Sequence, residues 1–316
     1  MNEMSAEDKK MNRRRILLYL LLNFGMTWAY EFLVVWPVAL SEDPMIQSMA
    51  QLALSAAMLF PALSVLITRL VTKEGFKNSM LVPKTGKHSI PYFLMGWFGP
   101  AVLTVIGAVI YFIIFPDSFD LSMGAMSTVL AAQGLEVTEN LVTITVVAQI
   151  ATALLLAPLL NAIPCFGEEW GWRGYLLPKM QKGLKLLPTL LLSGVIWGLW
   201  HLPITILGHN YGTGYPGYPV IGILAMCGFC VVMGIIFSYL TIRTGSCIPA
   251  ILAHGSVNGF ASAGILFTNG IDINPFAGPA PTGIIGGSAF IVCAIIMAVL
   301  LLKNHNMNPD SVIYYQ

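Results

Sequence analysis

The chain has 316 residues, of which 56% are hydrophobic and only 10% charged, with a formal net charge of +1. A soluble domain carries about 25% charged residues, so an ordinary water-soluble fold is excluded. The mean hydropathy of +0.76 points to an all-α, polytopic membrane protein.

Residues 1–15 read as a polar, basic cytoplasmic tail carrying Lys9, Lys10, Arg13, Arg14 and Arg15. Eight apolar runs follow, at about 16–40, 47–71, 91–115, 141–163, 187–208, 219–241, 247–267 and 284–302. Each is near the ~20 residues needed to cross hydrocarbon. The first is too long, and followed by too many others, to be a cleaved signal peptide. Within it Asn23 and Glu31 are the main polar residues, and Glu31 reads either as lining a substrate entrance or, the favoured reading, as a cap at the outer interface. The connection 116–140 is long enough for a short amphipathic helix, and the Gly-, Pro- and Tyr-rich segments 209–219 and 268–283 read as loops.

The basic residues fix an orientation. Counted over the tails and the second, fourth and sixth connections, all 16 lysines and arginines fall on one side. The opposite connections carry Glu42, Asp43, Asp117, Asp120, Glu136, Glu139 and Asp272 and no base. The positive-inside rule therefore predicts eight spans with both termini cytoplasmic. These bases are topogenic, so the lipid bilayer is an expected partner and nucleic acid is not. Four segments follow: the tail 1–15, helices 1–3 with an outer loop at 16–140, a core at 141–267, and a last helix and tail at 268–316.

The core holds the unusual chemistry. Cys165-Phe166-Gly167-Glu168-Glu169-Trp170-Gly171-Trp172-Arg173 places two carboxylates and a guanidinium at a membrane segment. One such charge at bilayer depth costs about 2.5–3.5 kcal/mol on insertion scales, so a cluster of them signals function. On a helix Glu169 and Arg173 are four apart and face each other. Glu168 points about 100° away, toward Trp172, and is the freer carboxylate. Trp197-Gly198-Leu199-Trp200-His201 sets an indole and an imidazole on one face of the fifth span. His254-Gly255-Ser256-Val257-Asn258 does the same for an imidazole and an amide in the seventh, among small residues that permit close packing. Together these supply a base, a proton relay and oxyanion donors, the inventory for amide hydrolysis. By depth they do not yet meet. At ~1.5 Å per residue, His201 lies deeper than His254, and Glu168 falls near the surface, so tilt or a returning helix is required.

The order Glu-Glu-x-x-x-Arg, aromatic-x-x-x-His, His-x-x-x-Asn resembles the CAAX prenyl protease and bacteriocin-processing family, also called CPBP or Abi. These are intramembrane endopeptidases. The resemblance covers roughly residues 145–265 and departs in one place, since Trp197 stands where the family commonly has Phe. It implies that Glu168 and His201 activate water and that His254 and Asn258 hold the oxyanion. It also implies that Glu169 and Arg173 organise the site, with Trp197 and Trp172 as candidate substrate contacts. The expected substrate is a peptide or membrane-associated protein, either prenylated or a leader or regulatory peptide. The expected location is the cell membrane, with the site toward the cytoplasm.

No cofactor is required by this reading. The nearest rival is a zinc-dependent version with Glu168, His201 and His254 as ligands. A second is a non-catalytic immunity or regulatory protein that binds a peptide. A thiol mechanism through Cys165 lacks a local histidine, and Cys227-x-x-Cys230 in an apolar span reads as packing.

Overall fold

The computed structural model describes residues 5–269 and 273–307; Asp272 lies outside the described residues. Within them the protein is helical, with one isolated bridge between Phe119 and Thr268. Ten helices organise it: α1 (Ala6–Ala39), α2 (Pro44–Val71), α3 (Gly86–Ile114), α4 (Gly124–Ala132), α5 (Glu139–Leu155), α6 (Ala162–Gly171), α7 (Leu186–Trp200), α8 (Val220–Thr244), α9 (Ile248–Phe260) and α10 (Ser288–Met307). All eight predicted runs are helical. Five helices are long and apolar enough to cross a membrane: α1, α2, α3, α8 and α9 with its extension to Phe267. The runs at α5, α7 and α10 are shorter apolar helices.

Residues 6–15, read from sequence as a separate tail, are instead the first turns of α1. The Ser5 hydroxyl accepts from the Asp8 amide at 3.1 Å, capping the helix. Glu7 and Asp8 add negative charge at its positive end. These turns are also anchored. Asn12 donates to the Lys179 carbonyl at 2.9 Å, and Arg15 lies 3.5 Å from Glu74. Glu74 in turn receives the Lys179 ammonium at 2.5 Å and the Tyr175 hydroxyl at 3.0 Å. Burial alone would raise Glu74, but Lys179, Arg69 and Arg15 hold its carboxyl below the usual range. Burial pushes the Lys179 ammonium down to about 8 against the pull of Glu74.

The fourth run departs most from expectation. It does not end at 163. α5 stops at Leu155, one short turn covers Ala157–Leu160, and α6 continues through a π-turn at Trp172–Leu176 to Gln181. Pro158, which lacks a donor, and Asn161, whose amide donates to the Ala157 carbonyl at 2.9 Å, break the helix without ending the path. Gly167 and Gly171 bracket the Glu-Glu pair and seat α6 on α2. A Cβ on Gly167 would meet the Met58 carbonyl oxygen at 2.2 Å, and one on Gly171 would meet Pro61 at 2.5 Å. α9 runs antiparallel to α6, with Cys247 beside Gly174 at one end and Gly255 beside Pro158 at the other. α7 lies along α8 through Gly194 and Gly198, which rest on Val231 and Cys227. The depth mismatch is thereby resolved. α6 carries the carboxylates into the protein interior, between α2 and α9.

Candidate active site

Glu169 is wholly buried, and its Oε1 is shared by two groups. Arg173 Nη1 donates to it at 3.0 Å, and His254 Nδ1 lies 2.9 Å away. The first contact is the i,i+4 pair expected from the sequence; the second joins α6 to α9. Arg173 sits on the π-turn, with its guanidinium 4.2 Å over the Trp197 ring and 5.2 Å over Phe237. Aromatic faces attract cations, most strongly where water is excluded. His254 stacks on Phe237 with ring centroids 5.5 Å apart and meets the Trp197 ring edge at the same separation. Arg173 and His254 thus each have Glu169 as a partner and Trp197 and Phe237 as an aromatic wall.

Glu168, also buried, has different surroundings. Its Oε2 accepts the Trp197 indole N–H at 2.6 Å. The indole beside Glu168 is thus Trp197 and not Trp172, the residue expected from the helical wheel. Trp172 instead packs edge-on against Tyr19 and Trp200. Both tryptophans are buried, as are Glu168, His201 and His254.

His201 closes α7 just before a short helix that restarts at Leu202-Pro203. Its Nδ1 lies 2.8 Å from the Trp197 carbonyl oxygen. A carbonyl only accepts, so Nδ1 carries the proton, and in the neutral ring Nε2 is then the acceptor. Trp197 therefore touches both members of the expected base pair. Its side chain orients Glu168 and its backbone sets the tautomer of His201. No direct hydrogen bond joins Glu168 and His201 among the described residues.

Asn258 lies one turn beyond His254, exposed, with its amide 3.7 Å from Cys165 Sγ. The three motifs thus lie on three neighbouring helices, with Glu169–His254 and Glu168–Trp197 as the contacts that join them.

Residues 144–260 match the model of the Type II CAAX prenyl endopeptidase Rce1-like family. The chain is also similar to CAAX prenyl protease 2 of Methanococcus maripaludis, at 30% identity over 92 residues. That stretch covers 29% of this chain and 34% of the relative, so about a third of the relative's length is spanned. The α5–α9 core is thus similar to the CAAX protease family over the matched residues. The matched span contains Glu168, Glu169, Arg173, Trp197, His201, His254 and Asn258.

Whether these residues fit a metal ion is decided by their geometry. Among the described residues no three His, Cys, Asp or Glu side chains form a group arranged to hold a metal ion. His254 has its Nδ1 on Glu169, and His201 has its Nδ1 on a carbonyl. The ligand set Glu168, His201 and His254 is not assembled, and no step below is routed through a metal.

Helix α1 lies outside the family match and supplies a wall that the sequence reading missed. Tyr19, Asn23, Thr27 and Glu31 are four apart and all fully buried. Asn23 and Thr27 accept the Trp200 indole N–H at 3.1 and 2.9 Å. Glu31, expected at the outer interface, is instead interior and close enough to Glu168 to interact with it electrostatically. Neither of its carboxyl oxygens has a hydrogen-bond partner among the described residues. It stands at the start of a π-turn, Glu31–Val35. The i,i+4 stripe was the available signal.

Proposed function

We propose that this chain is an intramembrane endopeptidase that hydrolyses a peptide bond with a water activated by Glu168 and His201. One Glu168 oxygen is committed to Trp197, and the other is left to take a proton from water. His201 Nε2 accepts from the same water and orients it. The hydroxide attacks the carbonyl carbon. The proton held by Glu168 passes to the leaving amine nitrogen as the C–N bond breaks, so no acyl-enzyme forms.

The developing oxyanion needs donors. His254, held by Glu169 through Nδ1, turns its Nε2 to the carbonyl oxygen as one donor, and the Asn258 amide is the second. Arg173 acts through Glu169, as a positioning residue. The site opens toward the cytoplasm, as the distribution of basic residues supports. The substrates are membrane-associated proteins or peptides, prenylated or of the leader or regulatory kind.

The observation that carries this reading is the division between the two glutamates: Glu169 Oε1 holds both Arg173 and His254 while its Oε2 is buried without a partner among the described residues, and Glu168 accepts the Trp197 indole on Oε2, which leaves Oε1 for water. The test is cleavage of a peptide panel, prenylated and unprenylated, by the purified chain, with and without chelator. Glu168→Gln and His201→Gln are each expected to lose about 10²–10⁴-fold in kcat/KM, the usual scale of general-base catalysis, while chelator leaves the wild type unchanged. Loss with chelator and recovery with zinc would favour the metal-dependent rival. Full activity in both variants would refute the assignment.

A further inference from the structure

The basic run at the start of α1 is not uniform. Arg13, Arg14 and Arg15 are consecutive, yet only Arg15 turns inward, to Thr72 and Glu74. Lys10, Arg13 and Arg14 are exposed and make no ion pair among the described residues. They share one end of an open groove of about 430 Å³. The rest of that groove is Leu17, Leu18 and Leu21, one to two turns further along α1, with Val71 from the end of α2. Leu17, Leu21 and Val71 are 52%, 73% and 59% exposed, so none of the described residues covers them. From Arg14 to Leu21 the helix rises ~10 Å.

Three unpaired cations above an uncovered apolar trough, on a helix that enters hydrocarbon at this level, match one class of amphiphile. We propose that this groove binds a single anionic phospholipid, with its phosphate on Lys10, Arg13 and Arg14 and an acyl chain along Leu17, Leu21 and Val71. Charge complementarity selects an anionic headgroup over a zwitterionic one. The apolar floor selects a lipid over a free phosphate. The bound lipid spans α1 and α2, and so steadies the helix that places Tyr19, Asn23 and Thr27 against the tryptophans of the site.

The test uses the full chain in neutral detergent, with thermal unfolding and native mass spectrometry as readouts. Added phosphatidylglycerol is expected to raise Tm by about 3 °C or more and to leave one retained lipid adduct. Phosphatidylcholine and glycerol phosphate are expected to do neither. Lys10→Gln/Arg13→Gln/Arg14→Gln is expected to lose both effects. Arg15→Gln is expected to lower the starting Tm and keep the shift, which separates anchoring from lipid binding. A shift of equal size with phosphatidylcholine would overturn the proposal, because headgroup charge would not matter. An equal shift with glycerol phosphate would overturn it in favour of a phosphate site. Should the triple variant fail to fold, Leu17→Asn/Leu21→Asn is the second probe. It is expected to lose the phosphatidylglycerol shift with the cations intact, and an undiminished shift would refute the lipid seat.

Discussion

Two wholly buried carboxyls in this protein have opposite surroundings. Glu169 in α6 has an arginine and a histidine on one oxygen, with aromatic rings behind both. Glu31 in α1 has no hydrogen-bond partner on either oxygen among the described residues. The first is a charge made tolerable by its neighbours and useful to chemistry. The second is a polar group whose burial nothing in the described structure offsets. The contrast separates a region built as a unit, the matched core, from a helix that packs against it from outside the match.

That contrast can be broken from either end. The largest effect is expected at Arg173. Arg173→Met leaves the Glu169 carboxylate buried without its guanidinium, and removing one partner of a buried pair costs about 3–5 kcal/mol. Unfolding measured in detergent should register it; an unchanged stability would mean that Glu169 is not charged in the folded protein. A smaller effect is expected from Trp197→Phe. The ring is kept, but Glu168 loses its indole donor. A hydrogen bond to a charged group is worth about 1.5–3 kcal/mol, so kcat/KM should fall about 10- to 100-fold while the fold survives. The third effect has the opposite sign. Glu31→Met keeps the length of the side chain and removes an unpartnered polar group, which should raise stability by about 1–3 kcal/mol. A loss of stability there would indicate that Glu31 has a partner in the folded protein.

Much of the site was legible because its elements are local. Glu169 with Arg173, Trp197 with His201 and His254 with Asn258 are each four apart, and helical geometry alone puts each pair on one face. The number of apolar runs was legible for the same reason, since hydropathy is read within a window. Three features were not legible. The fourth run was cut at 163 because the charges of Glu168, Glu169 and Arg173 end an apolar window, although in the fold they largely offset one another. The Trp197–Glu168 contact joins residues 29 apart on different helices, and the helical wheel offered Trp172 instead. Glu31 was assigned to the outer interface by counting from Arg15, whereas the i,i+4 stripe with Tyr19, Asn23 and Thr27 shows which way it faces. Tyrosine and threonine are unremarkable in an apolar helix, and only their shared spacing carries the signal.

The central claim is that adjacent glutamates divide the work, with Glu168 acting on water and Glu169 holding the site together. It is tested most directly by comparing Glu168→Gln with Glu169→Gln in one detergent preparation, with peptide cleavage and thermal unfolding read on the same samples. The account expects Glu168→Gln to lose cleavage and keep the wild-type Tm, and Glu169→Gln to lose cleavage with a clearly lowered Tm. Cleavage surviving in Glu168→Gln, or the lowered Tm appearing there and not in Glu169→Gln, would contradict it.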